Sequence, residues 1–256
     1  ALPPSPAAPV MPPPAVPSSA APSSAAPSSA APSSAAPSSA VPSGPPADEV
    51  ALGDELTLPG KVPTRGSGRF AYAPGKSEIY GSRGTLRRYR VAVERGSGED
   101  VAAFGAAVEA TLGDPRSWTG QGQVRLQRVP GNEAAGFTVY LATRETAGRM
   151  CANGGVNITV GGRPYTSCRS TGRAIINLDR WRLSAPTYVD AGVPLSVYRE
   201  YVVNHEVGHE LGHSHEGCPK RGGPAPVMVQ QTLTLRGCEP YAWPRRNGRL
   251  LRGPAL

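Results

Sequence analysis

The stretch from residue 205 to residue 215 reads His-Glu-Val-Gly-His-Glu-Leu-Gly-His-Ser-His and concentrates side chains that bind metal ions. On a helix, His205 and His209 share one face because they lie four positions apart, so both imidazoles can reach one ion. Glu206 projects beside that face, where a carboxylate can act as the general base for a water at the metal. This spacing predicts a zinc site with a catalytic glutamate.

The third ligand depends on where the helix ends. Gly212 tolerates the left-handed conformation that ends a helix, so the chain can turn there and bring His215 back to the metal. His213 is the alternative, because it continues the four-residue spacing of His205 and His209. On an unbroken helix, however, it would lie about 12 Å along the axis from His205, too far for two bonds of about 2.0–2.1 Å to a shared ion. We therefore expect His205, His209 and His215 to bind one Zn²⁺ per chain, with the fourth position open to water.

The residues before the motif predict the helix that carries it. Pro194 suits the first turn of a helix, and Leu195, Tyr198 and Val202 follow at helical spacing up to the histidines. The motif then falls in the C-terminal half of this helix. The five-residue HExxH pattern can occur by chance on a buried helix, but the glycine and the further histidine at the expected spacing argue against that alternative.

The pattern HExxHxxGxxH over residues 205–215 resembles the signature of the metzincin zinc peptidases. Members of that family carry a methionine turn under the metal, and Met228 in the sequence Pro-Val-Met-Val-Gln follows at a suitable distance. The sequence from Tyr201 to Gln231, and on to Cys238, also resembles an uncharacterised actinobacterial family of extracytoplasmic metzincin-like proteins, over about residues 69–245. The resemblance implies a metalloendopeptidase that hydrolyses peptide bonds in a protein or peptide substrate, with the glutamate of the motif as its base.

Two positions bear on how far the resemblance reaches. Glu216 directly follows the third histidine, as in the astacin branch, where such a glutamate contacts the mature N-terminus. A long segment precedes the domain here, so that role does not carry over. Astacin-like and serralysin-like enzymes also place a tyrosine two residues after the turn methionine, where this chain has Gln230. Either Tyr241 or another donor replaces that tyrosine, or its contribution is missing.

The expected fold class is α+β. Apolar residues at helical spacing predict an amphipathic helix from Asp100 to Leu112, and apolar runs predict strands at residues 86–94, 124–129, 136–141, 157–160 and 174–178. This order matches what the resemblance implies: a twisted mixed sheet with a backing helix and an active-site helix, then a short irregular C-terminal part with the methionine turn. A substrate peptide would add to an exposed edge strand by main-chain hydrogen bonds, and Asn157 to Val160 is the candidate for that edge.

The four cysteines fall into two local pairs, Cys151 with Cys168 and Cys218 with Cys238. An even count in an exported chain predicts two disulfides, each worth about 3 kcal/mol in the loop-entropy model. Four reduced thiols in a cytosolic protein are the alternative, and a cysteine zinc site is disfavoured because no CxxC pair is present. The second disulfide would tie the segment after the third histidine to the segment after the methionine and brace the floor of the metal site.

Composition divides the chain into two parts. Residues 1–47 carry no charged side chain and contain a repeated Pro-Ser-Ser-Ala-Ala unit, which predicts a disordered linker. Residues 48–256 are long enough for one domain with a sizeable core, the zinc peptidase-like domain. No apolar run reaches the length of a membrane span, and no signal-peptide pattern is present. We expect an extracytoplasmic protein, secreted or tethered to the membrane through a segment upstream of Ala1.

The net charge of +8 comes from the domain and is mostly arginine. Two clusters stand out, Arg87, Arg88 and Arg90 on a predicted strand and Arg245, Arg246, Arg249 and Arg252 near residue 256. Such a surface can bind an anionic cell-envelope polymer or lipid headgroups, although a solvated face is the simpler alternative. No nucleic-acid motif is present, and we expect a monomer.

Two further functions remain open from sequence. One is a non-catalytic, zinc-containing binding or scaffolding domain at the cell envelope, which the missing tyrosine favours and the intact Glu206 opposes. The other is a zinc hydrolase that acts on bonds other than peptide bonds.

Overall fold

The structure is a computed structural model that describes residues 53–256, so the predicted linker over residues 1–47 lies outside the described residues. The helices are α1 (Val101–Gly113), α2 (Arg144–Asn153), α3 (Leu178–Leu183), α4 (Pro186–Val189) and α5 (Leu195–Glu210), with a 3-10 turn at Trp118–Gln121. The strands are β1 (Phe70–Tyr72), β2 (Thr85–Glu94), β3 (Val124–Arg128), β4 (Phe137–Ala142), β5 (Thr159–Val160), β6 (Arg163–Pro164), β7 (Cys168–Ser170), β8 (Arg173–Asn177), β9 (Arg245–Arg246) and β10 (Arg249–Leu250).

A mixed six-stranded sheet forms the frame of the domain. Strands β2, β4 and β8 lie side by side and run parallel, and β3 pairs parallel with the first half of β2. Strand β1 pairs antiparallel with the second half of β2, and β7 pairs antiparallel with β8 at the opposite edge. The α+β class and the mixed sheet are therefore confirmed.

Alternation along the strands assigns a different layer to each face of the sheet. In β8, Ala174 and Ile176 belong to the large core cluster that includes side chains of α1 and α5. Ile175, between them, belongs to a second cluster on the other face, with Cys151 of α2 and Cys168 of β7. Each large apolar side chain that is fully buried contributes about 1.5–3 kcal/mol. One face of the sheet thus packs against α5 in the large core, and the other face packs β7 and β8 against α2.

Most of the predicted elements are present with their ends shifted by one or two residues, but the predicted edge strand over Asn157 to Val160 is wrong. Only Thr159–Val160 forms a strand there, and it pairs with β6 in a separate two-stranded hairpin. Gly161 and Gly162 both have positive φ, which suits a tight two-residue hairpin turn, so this segment folds back on itself and does not join the sheet. The edge of the sheet on this side is β7.

Helix α2 was not predicted because it lacks an apolar stripe. Its buried face consists of Thr146, Ala147 and Cys151, which are small or polar side chains. The formation of this helix therefore depends on its packing against the rest of the domain and not on a local apolar pattern. The short helices α3 and α4 were not predicted either.

Both predicted disulfides are confirmed, Cys151–Cys168 and Cys218–Cys238. The first joins α2 to the edge strand β7, and the second closes the loop that follows the histidine motif. Disulfides persist in oxidising compartments, so the two bridges indicate an extracytoplasmic protein. Within residues 53–256, none of the helices combines the length and the apolar character that crossing a membrane requires.

Candidate metal centre

Helix α5 carries the first two histidines of the motif and ends directly after them. Pro194 caps its N-terminus, and the helix runs from Leu195 to Glu210, as the sequence predicts. Gly212 follows with a φ of +95°, in the left-handed region that favours glycine. The chain turns there and returns His215 toward the helix.

Three imidazoles converge at this turn. The metal-binding atoms of His205, His209 and His215 all lie within 4.8 Å of one another. The Nε2 atoms of His209 and His215 are 3.1 Å apart. Tetrahedral Zn–N bonds of about 2.05 Å would place ligand atoms about 3.3 Å apart, so this spacing suits one zinc ion.

Backbone carbonyls fix the tautomers of two of these rings. The Nδ1 atom of His205 lies 2.7 Å from the Val227 carbonyl oxygen, and the Nδ1 atom of His209 lies 2.8 Å from the His213 carbonyl oxygen. A carbonyl can only accept, so both Nδ1 atoms carry the proton and donate it. The Nε2 atom of each of these two rings therefore carries a lone pair and no proton, which is the arrangement found when a histidine binds a metal through Nε2. The residues present fit a zinc ion.

The environment keeps the three rings neutral. Burial, together with the neighbouring His209 and His215, lowers the pKa of His205 to about 3, against the opposing effect of the Val227 carbonyl. Burial also lowers the pKa of His209 and the pKa of His215. At neutral pH the imidazoles need not lose a proton before they bind a cation.

Glu206 is a buried carboxyl group that faces the same cavity. The residue is 5% exposed, and its Oε2 atom has no hydrogen-bond partner among the described residues. Burial raises the pKa of Glu206 to about 8. It lines a cavity of about 600 Å³ that also contains the three imidazoles. A buried polar atom without a partner is uncommon and marks a place for a ligand or a reacting group.

His213, the alternative ligand, is separate from the group of three. Its ring stacks on Trp118, with ring centroids 4.3 Å apart and an interplanar angle of 16°. Its backbone carbonyl accepts a hydrogen bond from His209, but its imidazole is not among the ligand atoms that converge. The structure therefore brings His215, and not His213, beside the first two histidines.

Met228 is buried against α5, beside Gly208, the residue before the second histidine. It is 2% exposed, and its sulfur would lie 2.6 Å from a Cβ atom added to Gly208. A Cβ atom there would also lie 2.6 Å from Trp118. Glycine at position 208 therefore lets α5 lie close to Met228 and Trp118.

Buried tyrosines and one glutamine hold the turn that contains the methionine. Tyr201, one helical turn before His205, donates from its hydroxyl to the Val229 carbonyl at 3.1 Å and accepts from the Gln231 backbone N–H at 2.8 Å. The Gln231 side chain accepts from the Tyr188 hydroxyl and from the backbone N–H of residue 241. The turn is therefore fixed from the helix side and from the loop side.

The resemblance raises the question whether Tyr241 acts at the cavity in place of a tyrosine at position 230. Gln230 lines the cavity, whereas Tyr241 does not. The Tyr241 hydroxyl donates to the Arg245 carbonyl at 2.8 Å. Tyr201 lines the cavity, but both hydrogen bonds of its hydroxyl go to the turn. Tyr241 therefore does not replace the missing donor.

Sequence reasoning missed three residues that shape this centre. Arg169 on β7 lines the cavity and donates from Nε to Glu210 at 3.0 Å. No local pattern marks that pair, because the two residues are 41 positions apart. Gly208 had a signal that could have been read, since a glycine inside a helix costs stability unless close packing requires it.

A family model described as "Protein of unknown function (DUF3152)" matches residues 57–246, which is well over half of the chain. The chain belongs to the DUF3152 family. The match spans the six-stranded sheet, α5, His215 and Met228, so the three candidate ligands lie within the matched region. No curated protein and no solved structure matches the chain in the comparisons made.

The effect of Gly208→Ala on stability tests the close approach of α5 to Met228, because helix propensity and packing predict changes of opposite sign in the free energy of unfolding. Helix propensity alone favours alanine over glycine by about 1 kcal/mol. The contacts with Met228 and Trp118 oppose it, and we expect Gly208→Ala to lower the free energy of unfolding by about 1–3 kcal/mol. Urea unfolding of the metal-free chain measures this change, with Ser196→Ala on the same helix as the control. A stabilised Gly208→Ala variant would show that the helix does not need this approach.

The grouping of the histidines predicts which of them holds zinc. His205→Ala, His209→Ala and His215→Ala should each weaken zinc binding by more than the ~10–100-fold attributed to loss of an outer-shell partner. His213→Ala is the matched control, because it keeps the backbone carbonyl that orients His209 and should retain about one zinc per chain. Competition with a chelator of known affinity gives these values. Zinc lost in His213→Ala but kept in His215→Ala would reverse the ligand assignment.

Proposed function

We propose that the domain is a zinc-dependent, metzincin-type endopeptidase that hydrolyses peptide bonds outside the cytoplasm. The observation that carries this proposal is the buried carboxyl group of Glu206, whose Oε2 atom has no partner, in the cavity where the ligand atoms of three imidazoles converge. A purely structural zinc has no need of such a carboxyl group. A catalytic site needs it next to an open ligand position.

His205, His209 and His215 would hold the metal through their Nε2 atoms. A zinc ion bound there supplies a Lewis acid that polarises the scissile carbonyl and makes water more acidic. Val227 and the backbone of residue 213 keep the imidazoles of α5 in the orientation that this requires. The protein contributes three neutral ligands, so the positive charge of the ion stays available to the reacting carbonyl.

Glu206 would move the proton. Its Oε2 atom accepts a proton from the attacking water and then donates it to the nitrogen of the leaving amine. Burial raises the pKa of Glu206, so its carboxyl group can hold a proton near neutral pH before passing it on. A positive ion nearby would favour the charged form and shift this balance toward the base.

The edge strand β7 offers a place for the substrate backbone. Within the described residues, β7 pairs with β8 on one side only, and Cys168 and Arg169 line the cavity beside the imidazoles. An extended peptide can add to this free edge by main-chain hydrogen bonds. In this position its peptide bonds pass along the cavity that contains Glu206.

The resemblance to the metzincin peptidases supports the same reaction. The HExxHxxGxxH pattern ends at His215 after a helix break at Gly212, and Met228 packs against α5 at Gly208. A mixed sheet with α1 and α5 packed against one face is compatible with the layers that the resemblance implies. The two disulfides agree with action outside the cytoplasm.

One observation favours a second candidate, a zinc-containing binding or scaffolding domain without turnover. The Tyr241 hydroxyl is used by the Arg245 carbonyl, and the Tyr201 hydroxyl is used by the methionine turn. No tyrosine hydroxyl is therefore free at the cavity in the part of the chain that the structure describes. A site of this kind could keep the metal and lack one donor that steadies the reacting oxygen.

Replacement of the base separates the two candidates. Glu206→Gln preserves the size of the side chain and should retain zinc, but turnover of any peptide that the native chain cleaves should fall by ~10²–10⁴. Glu200→Gln, the same change on the same helix but outside the cavity, should retain turnover. Cleavage of a broad peptide library, followed by mass spectrometry with and without chelator, provides the measurement.

The contradicting result is specific. If the native chain and Glu206→Gln are equally inert, with zinc bound and the fold intact in both, the peptidase proposal fails and the non-catalytic candidate leads.

A further inference from the structure

Arg169 lies where an added substrate strand would run. It is the middle residue of β7 and pairs with Ala174 of β8. Directly paired residues project to the same face of a sheet, so its side chain lies on the face of Ala174, against α5. The hydrogen bond to Glu210 at the end of α5 agrees with this placement. The guanidinium therefore lies on the side of β7 that carries the histidines.

Glu210 is hydrogen-bonded to only one of the three guanidinium nitrogens of Arg169, the Nε atom. The Glu210 side chain is 3% exposed, and its Oε1 atom accepts from Arg169 Nε and from the Arg173 backbone N–H, each at 3.0 Å. The pair fixes the direction of the guanidinium without using its terminal nitrogens. An arginine presents five N–H donors in a planar fork, so most of them are left for another partner.

The terminal nitrogens of Arg169 are available at the cavity. Among the described residues, Nη1 and Nη2 make no hydrogen bond, and the side chain is 35% exposed. Arg169 also lines the cavity that holds the imidazoles and Glu206. A carboxylate is the partner that such a planar, two-nitrogen edge binds best.

The charges around the cavity favour an anion. In the described part of the chain, Glu206 is the only acidic side chain that lines it, and that side chain is buried. Arg169 is the only arginine or lysine side chain that lines it among the same residues. A cation at the β7 side of the cavity attracts acidic groups and repels basic ones.

We propose that Arg169 determines substrate specificity by pairing with an acidic side chain of the peptide residue that lies opposite it in the added strand. Directly opposed residues have Cβ atoms about 4.5–5.5 Å apart and project to the same face, so an Asp or Glu there meets the free edge of the guanidinium. A Lys or Arg in the same place meets a like charge. This inference rests on the proposed function, and it narrows the substrate class to peptides with an acidic residue at one fixed position.

Binding measurements test the inference without turnover. The probes are N-acetylated, C-amidated heptapeptides made in pairs that differ by Glu or Gln at one position, with each position varied in turn. They are titrated into the full chain that carries Glu206→Gln and is loaded with zinc, so that no peptide is consumed. We expect one position at which the Glu peptide binds about 10- to 100-fold more tightly than its Gln partner, the range for a charge-assisted pair.

Variants then assign that preference to one side chain. Added to the Glu206→Gln chain, Arg169→Gln should remove the preference for Glu at that position, and Arg169→Lys should retain part of it. Arg88→Gln removes the same charge from an exposed position on β2 and should leave the preference unchanged. Arg169→Gln leaves the buried Glu210 without its partner, so the double variant Arg169→Gln/Glu210→Gln removes both charges and checks that the loss is not a folding defect.

The failure of this inference differs from the failure of the proposed function. A Glu preference that survives Arg169→Gln, an equal binding of all Glu and Gln pairs, or an absence of peptide binding overturns the inference. Cleavage by the native chain without discrimination between Glu and Gln would leave the peptidase proposal intact and overturn the role of Arg169. An Arg169-dependent preference in a chain that cleaves no peptide would support the specificity and contradict the peptidase proposal.

Discussion

Two hydrogen bonds from imidazole Nδ1 atoms to backbone carbonyls determine the geometry of the candidate metal centre. They orient His205 and His209 and leave both Nε2 atoms free to face the same point. The acceptors come from different segments, Val227 in the methionine turn and His213 just after the helix break. The site therefore forms only when α5, the break at Gly212 and the turn lie together. A metal ligand held in this way cannot rotate without the loss of a buried hydrogen bond.

The surrounding packing holds these two hydrogen bonds in place. Gly208 allows α5 to lie close to Met228, the residue after Val227. The hydroxyl of Tyr201 and the side chain of Gln231 then fix the turn by hydrogen bonds on both sides. The disulfide Cys218–Cys238 closes the loop between the third histidine and the residues after the turn. These constraints come from side chains that do not touch the metal position, yet each limits how far a ligand can move.

The same arrangement connects the three histidines to the free edge strand β7, where we propose that substrate adds. Glu210 is the residue after His209, and it reaches across to Arg169 of β7. The disulfide from Cys168 holds that strand to α2 on the opposite face. The free edge is thus joined to the histidine helix by one ion pair and to α2 by one covalent bond. A change in either would move β7, the proposed place for a peptide, relative to Glu206.

The sequence predicted the parts of the site that depend on local spacing. The helix of the motif, the break at Gly212 and the two cysteine pairs follow from distances of a few residues along the chain or from an even cysteine count. The edge strand was placed wrongly at residues 157–160, because the prediction followed the β-branched run and did not use Gly161 and Gly162, the pair that turns it into a hairpin. Helix α2 and the pair of Arg169 and Glu210 depend on contacts between distant segments, which no local pattern records.

The most direct measurement of the metal centre is X-ray absorption at the zinc edge of the loaded chain. We predict three imidazole nitrogens at about 2.0–2.1 Å and one further light ligand from solvent. The chain has four histidines, so a fit that requires four imidazoles would place His213 at the metal as well. A sulfur neighbour at about 2.3 Å, or a chain that retains no zinc after mild dialysis, would contradict the three-histidine centre on which the proposed hydrolysis depends.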